Sequence, residues 1–328
     1  MAEYKYFGRY YHLKISDKYG MTLLDAETYR NAPALDIRFN VNFARGQICR
    51  DGTISVLGLQ HSTITEILYL AAEARGKAMS EQVRCTLDAG YFSEAGWMNI
   101  IDGYIWTATV TSPPTMWLNM SIAEYGVDGG ATPQSCKVTV CPNISEESVQ
   151  KVGEKVAEIY SEVEGVKIKF EDKTQDQLCS QKSWKSLDNI GSKTLKSIVE
   201  QMSNSLHDSI TFGLKRNSSR GNPDGALVIG AYDKDPAKAW SKRPIIVDKD
   251  NGLLSVSGIS VTNATVSTFI TENAADLMYL NLISEINPHA NGTYIITKIG
   301  HIGHYEGNEW YTQYTCSGKK GADGKEVK

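Results

Sequence analysis

Two histidines three residues apart, in His301-Ile-Gly-His304, are the first candidates for chemistry in this sequence. The tetrapeptide holds ATP in some nucleotide-binding folds, where it follows a first strand and opens a helix whose N-terminus faces phosphate. In this chain it stands near the C-terminal end, between a β-branched strand and the turn residues Glu306-Gly-Asn308. A helix has no room to start there, so nucleotide chemistry is set aside. The same imidazoles could ligate a metal from a hairpin, but only Glu306 and Glu309 stand near, at no obvious ligand spacing. Whether His301 and His304 bind a metal is left open by the sequence.

Cys136-Lys-Val-Thr-Val-Cys141 has four residues between thiols, a spacing some zinc sites use. On a strand, an offset of five puts the two sulfurs on opposite faces, and no second Cys/His pair follows closely. Paired carboxylates at Glu146-Glu147, Glu171-Asp172 and Asp233/Asp235 could in principle serve as acid and base. They fall at a helix start or in polar loops, where capping or solvation explains them. There is no Gly-x-Ser-x-Gly elbow, Walker loop, His-Glu-x-x-His or dinucleotide fingerprint. No catalytic residue, cofactor site or metal site is therefore assigned, and the expectation is a protein that is not an enzyme and takes no cofactor. Sequons at Asn119, Asn143, Asn217, Asn263 and Asn291 matter only in a secretory pathway.

The elements that would position any function are mostly strands. Residues 35–43 alternate apolar and polar, the mark of a strand wetted on one face; residues 52–59 form a second strand. Residues 62–75 change to helical spacing, with Ile64, Ile67, Leu68 and Ala71 on one side and Ser62 or Thr63 as cap. Strands resume at 82–91, 98–111 and 115–124. A Gly- and Pro-containing linker at 126–133 precedes a short strand at 137–140. Next comes a helix with Val149, Val152, Val156, Ile159 and Val163 inward, opened by Ser145 and stopped by Gly165. A second helix is expected over 194–206 and a hairpin over 209–216 and 226–232.

From 244 to 316 the chain is β again, and a repeat emerges. Gly252-Leu-Leu-Ser-Val-Ser-Gly-Ile259 shares Gly, Ser, Val and Gly with Gly52-Thr-Ile-Ser-Val-Leu-Gly-Leu59 at identical offsets. A Thr-rich stretch of helical spacing follows each (62–74 and 265–275). Leu-alternating strands come next, around Leu87 and around Leu280 and Leu282, and then strands containing Gly103-Tyr-Ile and Gly292-Thr-Tyr-Ile. A chain with two similar domains can mimic extra subunits in a ring.

Composition sets the outer bounds. The chain's 328 residues suffice for two or three domains, and 34 basic against 38 acidic side chains leave a net charge of −4. That balance argues against a polyanion as main partner. No apolar run approaches the ~18–20 residues that cross a bilayer, and the N-terminus lacks a signal-peptide pattern. Six scattered cysteines suit reduced thiols. Seventeen tyrosines and six tryptophans lack interleaved basic residues, so Trp310, Tyr311 and Tyr314 read as core or interface rather than as stacking platforms for nucleic acid.

Asn251-Gly-Leu-Leu-Ser-Val-Ser-Gly, Leu280-Asn-Leu-Ile-Ser-Glu-Ile-Asn-Pro, Asn291-Gly-Thr-Tyr-Ile-Ile-Thr-Lys-Ile-Gly-His and Glu309-Trp-Tyr-Thr resemble the last barrel of central hub proteins from contractile phage-tail baseplates. Gly52-Thr-Ile-Ser-Val, Asp88-Ala-Gly-Tyr and Ile101-Asp-Gly-Tyr-Ile resemble the first barrel of that family. The resemblance implies a β-rich α+β protein with two tail-tube-like β-barrel domains, at 1–130 and 241–318. A smaller α+β domain would lie between them at 131–240, with a flexible tail at 319–328. It further implies a homotrimer that joins a sixfold tail tube to a threefold central spike, with tape measure protein and DNA passing through its channel. Baseplate wedge proteins would be neighbours, there would be no membrane insertion, and the place would be the virion tail baseplate, assembled in the host cytoplasm. A tail-associated cell-wall hydrolase, or a tube- or terminator-like protein without a spike, are the alternatives.

Overall fold

Alternating β-branched and aromatic residues dictate most of the secondary structure. The computed structural model describes residues 8–28, 34–44, 47–93, 96–111, 115–125, 148–174, 177–183, 194–206, 210–216, 226–233, 245–260, 262–270 and 279–320. The first block carries strands β1 (Arg9–Ser16), β2 (Thr22–Glu27), β3 (Asp36–Ala44) and β4 (Asp51–Leu57), then helix α1 (His61–Ala74), then β5 (Arg84–Tyr91), β6 (Trp97–Val110) and β7 (Trp117–Ala123). The middle block holds α2 (Val149–Glu164), β8 (Ile168–Asp172), the single turn α3 (Leu178–Gln181), α4 (Leu195–Ser205), β9 (Ile210–Arg216) and β10 (Leu227–Asp233). The last block is β11 (Ile245–Val247), β12 (Leu253–Ser257), β13 (Ala264–Thr268), β14 (Tyr279–Leu282), β15 (Gly292–His304) and β16 (Trp310–Lys320). The fold is therefore β-rich α+β.

The first and last blocks share one 13-stranded sheet of order β12-β13-β16-β15-β3-β4-β7-β6-β5-β1-β2, with β14 on β15 and β11 on β14. All pairs are antiparallel except β11–β14. A strand order recurs within it. The run β3-β4-β7-β6-β5 of the first block has the same connectivity as β12-β13-β16-β15-β14 of the last. The registers match too. Thr53, Ile54, Ser55 and Val56 of β4 face Ser121, Met120, Asn119 and Leu118, and Thr265, Val266, Ser267 and Thr268 of β13 face Thr315, Tyr314, Gln313 and Thr312.

This recurrence corrects the repeat read from the sequence. The strand equivalent to β4 is β13, while Gly252–Ile259 covers β12, the counterpart of β3. The glycine-anchored match therefore joins two strands that occupy different places in the sheet. The helical reading of the stretch from Thr265 is also overturned for its first residues, since 264–268 form β13. A β-branched Thr-Val-Ser-Thr run gains more from a pleated, half-buried surface than from a helix. Residues 271–275 of that reading lie outside the described residues.

In the middle block β8 runs parallel to β10 and β10 antiparallel to β9, with α2 packed on β8 and α4 on β9. Helix α2 buries Val149, Val152, Val156, Ala157 and Tyr160 on one stripe, each large aliphatic contributing about 1.5–3 kcal/mol over exposure. Its N-cap is Ser148, whose side chain accepts from the Lys151 amide; Ser145, expected in that role, lies outside the described residues. Gly165 ends it in the left-handed conformation at φ 63°, as expected. Thr194 and Ser197 form a capping box on α4. Helix α1 starts at His61 behind Gln60, which makes no side-chain cap bond, so Ser62 and Thr63 fall inside the first turn instead of capping it.

Three apolar clusters hold these parts, and each crosses a block boundary in sequence. The cluster around α2 and α4 takes in Ile48, Cys49, Met79, Tyr104 and Tyr125 from the first block. The cluster under the first block takes in Ile270 and Trp310 from the last. The third, around β13 to β16, is touched by Met98.

Candidate functional site: a strand seam and two open edges

Strand β15 is long enough to serve two partners along one edge. Its first residues pair with β14, from Leu282↔Gly292 to Tyr279↔Ile295. Beyond that, Lys298 to His304 pair with Ala44 to Arg38 of β3. The opposite edge is occupied by β16 throughout. The β3–β15 ladder is thus the seam at which the last block joins the first.

Side chains clamp the seam at its His304 end. His304 Nε2 lies 3.1 Å from Asp36 Oδ2 and 3.2 Å from Arg38 Nε. One nitrogen can donate to the carboxylate or accept from the guanidinium, not both at once. The Arg38 guanidinium carbon sits 4.2 Å from the Trp117 ring centroid, and the Glu306 amide donates to Asp36 Oδ1. Arg9 Nη1 donates to the carbonyls of His304, Tyr305 and Gly307. Trp310 is 3% exposed, donates its indole N–H to the Gly90 carbonyl at 3.0 Å and packs edge-on against Phe39. Gly303 is required here because a Cβ would enter the Phe39 ring.

These contacts send the two histidines to different partners. His301 is buried with Nδ1 2.9 Å from Thr312 Oγ1, while His304 engages Asp36; an offset of three on a strand sends them to opposite faces. Glu309 meets His304 through backbone, its carbonyl accepting the His304 amide. Among the described residues no group of three His, Cys, Asp or Glu side chains could hold a metal.

The carboxylate pairs are equally dispersed. Glu171 pairs with Lys173 at 3.1 Å. Asp172 accepts from the amides of Thr174 and Cys179 and so caps a turn. Glu146, Glu147, Asp235, Cys136 and Cys141, with the 126–133 linker and the 137–140 strand, lie outside the described residues, as does the Asp233 side chain. The terminal aromatics divide as one-face burial requires: Trp310, Thr312, Tyr314 and Cys316 are buried, and Tyr311 and Gln313 half-buried.

The buried acids that do stand out were not flagged by sequence. Glu164 is buried, accepting from the Tyr125 hydroxyl at 2.9 Å and the Met79 amide at 3.0 Å. Glu124 accepts from the Arg50 amide at 3.0 Å, and Arg84 and Asp102 form a two-pronged pair at 2.7 and 2.9 Å. Asp36, Arg38 and Arg9 were missed too. All of them serve cohesion between elements, and no local pattern marks them, because each partner is distant in sequence.

Several buried thiols and phenols must stay neutral. Burial pushes the Cys49 and Cys316 thiols up to about 12 and Cys85 higher still. It likewise raises Tyr11 to about 12, and Tyr125, Tyr160 and Tyr314 further. Unreactive thiols of this kind suit packing rather than nucleophilic catalysis. In the unfolded chain these groups ionise from their ordinary 9.0 and 10.0. Above about pH 9 the unfolded state therefore binds fewer protons than the folded one, and stability falls as pH rises. Urea unfolding midpoints should be level from pH 7 to 8.5 and decline steadily by pH 10.5; a flat profile would contradict the burial of these groups.

The first block offers an edge like the one that makes the seam. Strand β6 pairs with β5 only from Trp97 to Tyr104, and with β7 along its other edge to Val110. From Trp106 to Val110 the β5-side edge meets no strand among the described residues. The outer edge of β12 likewise ends the sheet path. Exposed apolar side chains mark both: Trp106 (38%) and Val110 (39%) on β6, and Leu254 (44%) on β12.

No protein-family model and no curated protein matches this sequence. Solved structures do. A tail protein from Neisseria meningitidis aligns over 95% of this chain and 97% of its own at a TM-score of 0.56 and 10% identity. The 43 kDa tail protein of prophage MuSo2 from Shewanella oneidensis aligns over 93% and 96% at 0.52 and 9%. An E. coli component of the type VI secretion system, described as structurally similar to the bacteriophage T4 tail proteins gp27 and gp5, aligns over 90% and 76% at 0.51 and 10%. At such identities the likeness is one of fold alone, and it spans nearly the whole of this chain.

Proposed function

We propose that this chain is a non-enzymatic structural component of a tail, a homotrimeric baseplate hub. The observation that carries the reading is the strand order occurring twice in one chain, joined by the β3–β15 seam. Two like units in each of three chains present six positions around a ring, which is what a sixfold tail tube needs on one side. Threefold symmetry remains for a central spike on the other. The units are a first tube-like barrel at 1–130 and a second at 241–318, with an α+β domain at 131–240 and a tail at 319–328. The ring encloses a channel for tape measure protein and DNA in transit, in a virion tail baseplate assembled in host cytoplasm and flanked by wedge proteins. A net charge of −4 is compatible with such a duct, since a wall that attracted phosphate would slow passage.

Support comes from the tail-protein fold over nearly the full chain. Mass measurement in solution should give three chains of 36.2 kDa, alone or once the spike protein is added, and negative-stain images should show six lobes. Monomer at every concentration, with and without spike, would overturn the reading, as would clearing of peptidoglycan by the purified protein.

A further inference from the structure

The His304 end of the seam sets one imidazole nitrogen between two groups that make opposite demands on it. In the β3–β15 ladder His304 stands directly opposite Arg38. Asp36 lies two residues earlier on β3, on the same face, because strand side chains alternate. His304 Nε2 is 3.1 Å from Asp36 Oδ2 and 3.2 Å from Arg38 Nε. A carboxylate only accepts and a guanidinium only donates. To bond Asp36, Nε2 must carry a proton; to bond Arg38, it must offer its lone pair.

The ring has little room to turn away from this conflict. The His304 side chain is 23% exposed and that of Asp36 9%. A Cβ on Gly307 would collide with His304 Nδ1, so the hairpin backbone closes over the other edge of the imidazole. Arg9 of β1 donates to the carbonyls of His304, Tyr305 and Gly307 and holds that backbone in place. The other titratable groups around the ring are the Tyr11 hydroxyl, which donates to the Leu35 carbonyl, and Tyr305, Glu306 and Glu309 on the hairpin itself, both acids exposed. Arg38 alone has a second seat. Its guanidinium carbon is 4.2 Å from the Trp117 ring centroid, and that ring can carry a cation without help from the imidazole.

We infer that His304 is a proton-operated latch on the seam. Protonated, it gives Nε2–H to Asp36 and releases Arg38 onto Trp117. Neutral, with its hydrogen on Nδ1, it accepts the Arg38 Nε–H. The proton makes the Asp36 contact a charge-assisted hydrogen bond, the stronger kind, and sets imidazolium against guanidinium, which drives the exchange. Asp36 Oδ1 keeps the Glu306 amide in either state. The last block therefore stays tied to the first while the side chain that holds it changes. The latch is complete within one chain, so it goes beyond the hub reading and does not depend on it.

Tryptophan emission of the full chain reads the exchange, because a cation that moves against the Trp117 ring perturbs its indole. Between about pH 8 and about pH 5, where imidazoles titrate, the wild type should show a step in emission. His304→Gln should abolish it, since an amide donates to Asp36 and accepts from Arg38 at once and does not titrate. Trp117→Phe should abolish it by removing the reporter. His12→Gln, a change in the separate His12–Asp25 pair, should keep it. Asp36→Asn should move the step to lower pH, because the carboxylate that favours the proton is gone. A wild type without a step, a step that survives His304→Gln, or one that Asp36→Asn leaves in place would overturn the latch.

Discussion

Trp310→Ala should lower the unfolding free energy by about 3–5 kcal/mol, the range for emptying a buried large aromatic site. Trp310 opens β16, yet its ring lies in the cluster under the first block. It packs 5.2 Å from Phe39 and 6.3 Å from Tyr305 between centroids, with the Arg9 guanidinium carbon 5.7 Å from its own ring centroid. Its indole N–H satisfies the Gly90 carbonyl, and its own carbonyl accepts from the Tyr91 hydroxyl at 3.2 Å. Alanine leaves a cavity and an unpaired acceptor together. Trp310→Phe keeps much of the ring and should cost less, the remainder reporting the lost hydrogen bond, about 1–3 kcal/mol. Urea titration of the three proteins measures this. A loss below about 1 kcal/mol for alanine would show that the last block does not depend on this anchor.

Strands β3 to β7 of the first block are legible from residue types, whereas β1 and β2 are not assigned from the sequence. Ile37, Phe39 and Val41 alternate with exposed Arg38 and Asn40 in β3, and that period reads directly from residue types. Helix α2 was legible for the same reason at its own period, with Val149, Val152 and Val156 inward. The short strand β8 passed unassigned, although Val166, Ile168 and Phe170 alternate with lysines. Its parallel partner β10 lies across two helices, so nothing local announces the pairing. The repeat is visible in sequence but one strand out of step, because the shared glycines lie on β4 and β12 while the equivalent strands β4 and β13 share only the short cores Thr53-Ile-Ser55 and Thr265-Val-Ser267.

The seam was not legible at all. Asp36 and His304 meet across 268 residues of chain, and neither shows its role without the β3–β15 register. His301 and His304 attract attention in sequence as a pair, but the pleat sends one into the core with Thr312 and the other to Asp36 and Arg38. A metal site and a clamp draw on the same residue types; only the register separates them. The open half of β6 is likewise invisible in sequence, since an unpaired edge and a paired one alternate identically.

Glu124→Leu is the second large effect expected, again about 3–5 kcal/mol, because it strands a buried charge. Arg50 and Glu124 are 5% and 3% exposed, with Nε and Oε1 4.0 Å apart. The acid also accepts the Arg50 amide, while the Glu124 amide donates to the Arg50 carbonyl at 3.1 Å. Arg50 in turn donates from Nη1 to the carbonyls of Asn99 and Ile100 at 3.2 Å each, so the pair ties the ends of β4 and β7 to the start of β6. Removing the acid alone leaves the guanidinium without its counter-charge in a dry site. Arg50→Leu combined with Glu124→Leu removes both charges and should recover part of the loss, a coupling of about 0.5–3 kcal/mol in a double-mutant cycle. Additive single losses would mean the two charges act separately.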